Sequence, residues 1–246
     1  MGAVLFDFGG TLDFPRHWLD RFYIHYHEAG LALTRAQLDQ AFSAATRAAY
    51  RSAALLHNFR LIDLIPWLVR RQLECLRHLQ SSRMPSVVAP WQARFARETL
   101  VDRISEAFIQ ESMDGLAHSR VILANLAVRF KIGVVSNFYG NLERILEEAG
   151  FAPIVAAIAD SGCLGIYKPD PEIYRTVLGM LAVAPAVTTM VGDSLDKDCA
   201  PARELGMRTV WLRHREASFQ SAHAQDHADF TITALEELNP LLYSVC

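Results

Sequence analysis

Apolar and polar positions follow two rhythms along this chain, and the change between them falls near residue 115. The run over 3–6 is short and continuously apolar, as in a parallel strand buried on both faces. Gly9 and Gly10 behind it permit a tight turn. From 15 to about 115, apolar residues recur at helical spacing with few Gly or Pro interruptions. The spacing predicts a helix over 17–29. It predicts a second over 34–57, capped by Thr34 and carrying Leu38, Phe42 and Ala45 on one face, and a third over 61–79 with Pro66 in its first turns. The polar break Ser81-Ser82-Arg83-Met84-Pro85 precedes a fourth helix expected over 90–113.

Beyond 115, strand and helix take turns. Strands are expected over 132–135, 154–158, at Met190-Val191, over 209–212 and over 230–232, with helices over 141–149, 171–181 and about 198–205. Such alternation builds a parallel sheet. The expected fold class is therefore α/β, a Rossmann-like parallel-sheet core in two pieces, 1–14 and 116–246, with an all-helical domain inserted over 15–115. No internal repeat or low-complexity tract interrupts it.

Composition narrows the partners. With 246 residues and 51% hydrophobic content, the chain has enough apolar surface for a substantial core. A formal charge of -3 sets up no general field for nucleic acid, and the Arg residues are interleaved with acidic and apolar ones. Cys75, Cys163, Cys199 and Cys246 lack CxxC spacing, so neither a zinc site nor a disulfide framework is indicated. Val4-Leu5-Phe6 starts close to Met1 without a basic leader, and no apolar run reaches the roughly 20 residues of a membrane span. The expectation is a cytoplasmic protein that binds neither membrane nor nucleic acid. The pattern sets no oligomeric state.

Functional groups of open parallel sheets gather beyond the carboxyl ends of the strands. Four polar motifs follow expected strands here: Asp7-Phe8-Gly9-Gly10-Thr11, Ser136-Asn137, Tyr167-Lys168-Pro169, and Gly192-Asp193-Ser194-Leu195-Asp196-Lys197-Asp198. An aspartate at a strand end often caps the next helix, and Gly-Asp-Ser alone says little. Four motifs in order after successive strands point instead to one anion and metal site.

In that order the motifs resemble the haloacid dehalogenase-like superfamily of hydrolases, and within it the phosphatase branch with a helical cap inserted after the first motif. The resemblance implies that Asp7 is the nucleophile and forms an aspartyl-phosphate. It implies Mg²⁺ held by Asp7, Asp193 and the Gly9 carbonyl, since this ion prefers carboxylate, carbonyl and water oxygens. Lys168 would neutralise nucleophile and phosphoryl oxygens. Ser136 and Asn137 would donate hydrogen bonds to phosphate, with the Phe8, Gly9 and Gly10 loop closing the cradle and Thr11 steadying it. Asp198 would either complete the acidic wall or hold Lys168. The substrate implied is a small phosphorylated metabolite.

Gly9 departs from the phosphatase pattern, which carries a second Asp there as general acid and base, worth about 10² to 10⁴-fold in rate. A substrate with a good leaving group, a titratable residue from the helical segment, or substrate-assisted water could take its place. Asp13 is the nearest other carboxylate, expected to point toward the junction with the helices. Two further readings stay open: a carbon-halogen hydrolase of the same superfamily, which Asp193 opposes, and a catalytically weak phosphate-binding or interaction protein.

Other polar residues have simpler readings. Asp196 and Lys197 are expected to face solvent, and His17, Arg21, His25, His57, Asn58 and Arg60 to be polar positions on helix faces. Phe14, Trp18, Phe22, Tyr23 and Tyr26 read as packing between the helical segment and the core, and Met190 and Trp211 as core. The nine histidines show no HxxxH or HExxH spacing, so no histidine metal site is expected.

Overall fold

A computed structural model describes residues 1–13, 16–81, 94–214 and 228–243. Phe14, Pro15 and the break at 82–85, with the expected helix start at 90, lie outside the described residues. Among the described residues, β1 (Ala3–Phe6), β2 (Lys131–Ser136), β3 (Val155–Asp160), β4 (Thr188–Gly192), β5 (Arg208–Leu212) and β6 (Phe230–Ile232) form one parallel sheet in the order β3-β2-β1-β4-β5-β6. The fold class is α/β and Rossmann-like, as the alternating rhythm predicts.

β1 lies inside the sheet, with Phe6 in register with Val134 of β2 on one side and Val191 of β4 on the other. Its four residues are all buried, and the pleat sends them alternately to two cores. Ala3 and Leu5 pack with Ile173, Tyr174 and Val177 of α8 (Pro171–Leu181). Val4 and Phe6 face the larger core, which continues into the helices that the chain forms between β1 and β2.

Those helices are α1 (Trp18–Glu28), α2 (Arg35–Arg51), α3 (Ala53–Leu56), α4 (Leu61–Ser81) and α5 (Arg94–Ala127). Thr34 and Gln37 form a reciprocal capping box that starts α2. The helix expected over 34–57 divides at Ser52, whose φ of -108° and ψ of 18° leave helical geometry. Pro66 lies in the second turn of α4, where it withholds an amide from the carbonyl four residues earlier. Burial of Leu64, Ile65, Leu68, Val69, Leu73 and Leu76 against α2 and α5 sustains the helix regardless.

The fourth expected helix is longer than its pattern. α5 continues through Gly115 to Ala127 and leads into β2. A mid-helix glycine costs about 1 kcal/mol relative to alanine, yet Leu116, Ile122, Leu123 and Leu126 beyond it are buried and keep the helix packed. On its inner side Ser112 and Ser119 are buried as well, and Ser119 Oγ donates to the Leu12 carbonyl at 2.7 Å. α5 is thereby tied to the loop after β1. No helix among the described residues is long and apolar enough to cross a membrane.

Candidate active site

The parallel ladder outlasts β1 by one residue, since the Asp7 amide donates to the Val191 carbonyl at 2.9 Å. That extra bond sets Asp7 at the carboxyl end of an interior strand, between Ser136 closing β2 and Asp193 following β4. Three carboxylates meet there: Asp7, Asp193 and Asp198 each offer an oxygen within 4.8 Å of the others, and all three are buried.

Lys168 reaches them from the segment that follows α7 (Ser161–Leu164). Its ammonium donates to Asp7 Oδ1 at 2.6 Å and to Asp198 Oδ1 at 2.6 Å. Burial disfavours the ammonium, but the Asp198 and Asp7 charges outweigh it and hold the Lys168 pKa above the usual range. Asp198 is fully buried, and burial drives its pKa up against the pull of Lys168. Of the two roles open to Asp198, its Oδ1 takes that of holding Lys168, while Oδ2 accepts the Ser194 amide at 3.0 Å. Ser136 Oγ donates to Asp7 Oδ1 at 2.8 Å.

Asn137, read from the sequence as a phosphate donor, is turned elsewhere. Its Oδ1 accepts the Lys168 amide at 2.7 Å and its Nδ2 donates to the Lys168 carbonyl at 3.0 Å. The side chain clasps the main chain of Lys168 and so aims the ammonium. Asp160, at the end of β3, braces the same loop by accepting the amides of Gly140, Leu142 and Gly162 at 2.8–3.0 Å. Ser161 Oγ adds bonds to the amide and carbonyl of Phe138.

The loop after β1 is wound tightly. The Phe8 carbonyl accepts the amides of Thr11 at 3.1 Å and Leu12 at 2.8 Å, and the Phe8 ring packs edge-on against Phe138 at 5.2 Å. Gly10 has a φ of +85°, and a Cβ there would lie 2.5 Å from Asp193 Oδ2. Only glycine satisfies both the left-handed backbone and this approach. Thr11 contributes its amide to the turn, while its hydroxyl is buried without a partner among the described residues. Gly9 faces the indole of Trp18: a Cβ on it would stand 3.3 Å from Trp18 Nε1.

Asp13 is fully buried beneath α1. Oδ1 accepts the Gly10 amide at 2.8 Å, and Oδ2 accepts Trp18 Nε1 and Arg21 Nη1, both at 2.6 Å. Burial raises its pKa, opposed by the Arg21 charge and these bonds. Arg21 extends the network to Glu111 Oε2 at 2.9 Å, which also meets His25 Nε2 at 3.0 Å. Burial opposes the His25 imidazolium, but Glu111 and Glu28 outweigh it and raise its pKa.

Several of these residues escape a motif reading. Arg21 shares a helical stripe with Trp18 and Phe22, and that placement among aromatics was the available sign that it is buried. His214, two residues beyond β5, sets Nε2 3.2 Å from Asp193 Oδ2, and Asp160 ends β3; a search of every strand end reaches both. Asp196 and Lys197 are exposed. A separate cavity of about 460 Å³ between α2 and α4, bordered by Ala44, Ala48, Arg51, Arg71, Glu74 and Cys75, includes none of the strand-end residues.

The donor set suits a hard divalent cation. Three buried carboxylates face one ammonium, an excess of negative charge that an oxygen-seeking ion would offset.

Residues 1–206 match the family model for haloacid dehalogenase-like hydrolases. The chain is 28% identical over 214 residues to the haloacid dehalogenase-like hydrolase domain-containing protein 3 of Mus musculus, covering 87% of this chain and 82% of that one. It is 31% identical over 174 residues to a phosphoserine phosphatase of Thermus thermophilus, covering 63% and 70% of the two chains. Among solved structures, a dehalogenase with intermediate complex superposes with a TM-score of 0.62 at 18% identity, over 98% of this chain and 96% of that one. The last likeness speaks to the fold, whereas the family match takes in every strand-end group from Asp7 to Asp198. This protein belongs to the haloacid dehalogenase-like hydrolases.

Proposed function

We propose that this hydrolase is a Mg²⁺-dependent phosphatase that moves the phosphoryl group of a small phosphorylated metabolite first to Asp7 and then to water. One observation carries the reading: Asp7 Oδ1 is held by Ser136 at 2.8 Å and Lys168 at 2.6 Å, with Asp193 and Asp198 oxygens within 4.8 Å. Two donors on one oxygen fix the carboxylate and leave Oδ2 to attack phosphorus, so that a difficult displacement is divided into two easier ones. The Lys168 ammonium stands beside the nucleophile, where it neutralises the incoming phosphoryl oxygens. Asn137 keeps that ammonium aimed through the main chain.

Asp7 and Asp193 would hold Mg²⁺, with the Gly9 carbonyl as the third oxygen implied by the family resemblance. When bound, the ion offsets charge that develops on the transferring phosphoryl group. Gly10 lets the loop backbone close onto Asp193, while its own amide is spent on Asp13 Oδ1 at 2.8 Å rather than on phosphate. Helices α1–α5 act in this reading as a cap that excludes water from the crevice. The phosphatase relative supports a small phosphorylated substrate.

Phosphate release from a panel of phosphomonoesters and acyl phosphates with Mg²⁺ tests the reading. Native protein should release phosphate, and Asp7→Asn, verified as folded by circular dichroism, should not. Release that persists in Asp7→Asn, or a folded native protein that hydrolyses nothing, defeats the proposal.

The absence of a carboxylate at Gly9 also suits carbon-halogen cleavage through an ester on Asp7. Asp193 weighs against it, because a third carboxylate serves a cation better than a halide. Halide release from 2-haloacids that is indifferent to a chelator would establish this alternative.

A further inference from the structure

The space beside Gly9 is already taken. A Cβ at that position would lie 3.3 Å from Trp18 Nε1 and 3.5 Å from Trp18 Cδ1, so a longer side chain would run into the indole. Trp18 has little freedom to yield. It is buried, its Nε1 donates to Asp13 at 2.6 Å, and its ring stands edge-on to Phe108 and Phe138 at 5.1 and 5.7 Å. An indole N–H donates hydrogen bonds but does not release its proton in water at ordinary pH.

Each titratable side chain around Asp7 is held by at least one other bond. Asp13 accepts three donors, one of them the Arg21 guanidinium. Asp198 accepts Lys168 and the Ser194 amide, and the Lys168 ammonium is shared between Asp198 and Asp7. His214 Nε2 faces Asp193, and its Nδ1 is buried with no partner among the described residues. His17 accepts the Leu19 amide at Nδ1 and sets its ring against Phe42 at 6.2 Å.

We propose that Trp18 occupies the seat of a proton donor and thereby restricts this site to phosphoryl groups carried on leaving groups that are stable as anions. Acyl phosphates, phosphoanhydrides and aryl phosphates meet that condition; alkyl phosphates do not. The inference rests on the phosphatase reading above. Asp7 Oδ2 forms a bond to phosphorus while the bond from phosphorus to the leaving oxygen breaks. The electron pair departs with the carboxylate, phosphate or phenolate, and no proton is taken up. Water then attacks phosphorus, the Asp7 oxygen–phosphorus bond breaks with its pair returning to the carboxylate, and both water hydrogens leave on dihydrogen phosphate. An alkoxide is too basic to depart in this way.

The test compares kcat/KM of native protein with Mg²⁺ for acetyl phosphate, a graded series of aryl phosphates, phosphoserine and glycerol 3-phosphate. The expected result is a steady fall along the aryl series as the phenol becomes less acidic, and a loss of at least about 10² to 10⁴-fold from p-nitrophenyl phosphate to phosphoserine, the size of a general acid's contribution. Gly9→Asp combined with Trp18→Ala should raise the phosphoserine to p-nitrophenyl phosphate ratio by at least tenfold, roughly the low end of that range, whereas Trp18→Ala alone should leave it unchanged. Comparable kcat/KM across native substrates overturns the inference and leaves the phosphatase reading standing. If His17→Ala or His214→Ala then makes the series steep, that histidine is the donor. Release from none of the substrates overturns both readings together.

Discussion

Replacing Arg21 with methionine keeps a long apolar stem and removes the charge and its donors. In the native chain Arg21 is fully buried, with Nη1 2.6 Å from Asp13, Nε 2.9 Å from Glu111, and Nη2 donating to the Phe108 carbonyl at 3.1 Å and Ser112 Oγ at 2.5 Å. Glu111 retains His25 and some exposure to solvent, so most of the damage falls on Asp13, whose carboxylate would be left buried beside neutral partners. Removing one partner of a buried pair costs about 3–5 kcal/mol. For a chain of this size the melting temperature should fall by roughly 6 to 20 °C. The deficit should also depend on pH. Burial already raises the Asp13 pKa against Arg21, and without Arg21 it should rise further. A carboxyl whose folded pKa exceeds its unfolded value binds a proton preferentially in the folded state, so folding gains as pH falls toward and through the folded value. The stability gap between variant and native protein should therefore narrow from about pH 7.5 to about pH 5.5, and His25, held more strongly as imidazolium by a Glu111 freed of Arg21, shifts it the same way. Urea unfolding of native protein, Arg21→Met, Asp13→Asn and the double variant at both pH values measures the loss and the coupling. A loss below about 1 kcal/mol at the higher pH, or a gap that widens on acidification, would refute the reasoning.

Gly10→Ala places a methyl group 2.5 Å from Asp193 Oδ2 on a backbone at φ +85°, so it should destabilise the chain by at least about 1 kcal/mol and weaken divalent-cation binding in titration calorimetry; native-like binding would show that Asp193 does not hold the ion. Lys168→Met leaves Asp7 and Asp198 facing each other without their shared ammonium, and should reduce phosphate release by at least about 10²-fold while the circular dichroism of the folded protein is kept; a smaller loss would put charge neutralisation elsewhere.

The sheet was legible because each strand is a compact apolar run closed by a turn, and the strand-end rule then brings Asp7, Ser136, Asp193 and Lys168 to one crevice. Individual side-chain roles were less legible. Asn137 looks like a phosphate donor because it follows Ser136, yet its partner is the Lys168 main chain, 31 positions later. Gly115 reads as the end of a helix on propensity, but burial of Leu116, Leu123 and Leu126 carries α5 past it. Arg21 reads only as a polar position on a helix face because its partners Glu111 and Ser112 lie 90 and 91 residues away, on a helix whose proximity only the folded chain reveals. His214 lies outside every motif, within reach of a strand-end search, but its partner Asp193 is fixed only when β5 is paired beside β4.

Gly9, taken alone, looks like a catalytic carboxylate that has been lost. Its surroundings make it one part of a packing arrangement. A side chain at Gly9 would displace Trp18, whose N–H is one of the donors that keep Asp13 satisfied. Asp13 in turn holds the Gly10 amide and draws Arg21, with its links to Glu111 and Ser112, into the core. Restoring a carboxylate at Gly9 without moving Trp18 would therefore disturb the loop that presents Asp7 before it could supply a proton. The same coupling makes the loop after β1 and α1 one structural unit, so the position of α1 and the geometry around Asp7 should change together. A glycine so tightly enclosed is better understood as a constraint on which leaving groups this site can release than as a simple vacancy in its chemistry.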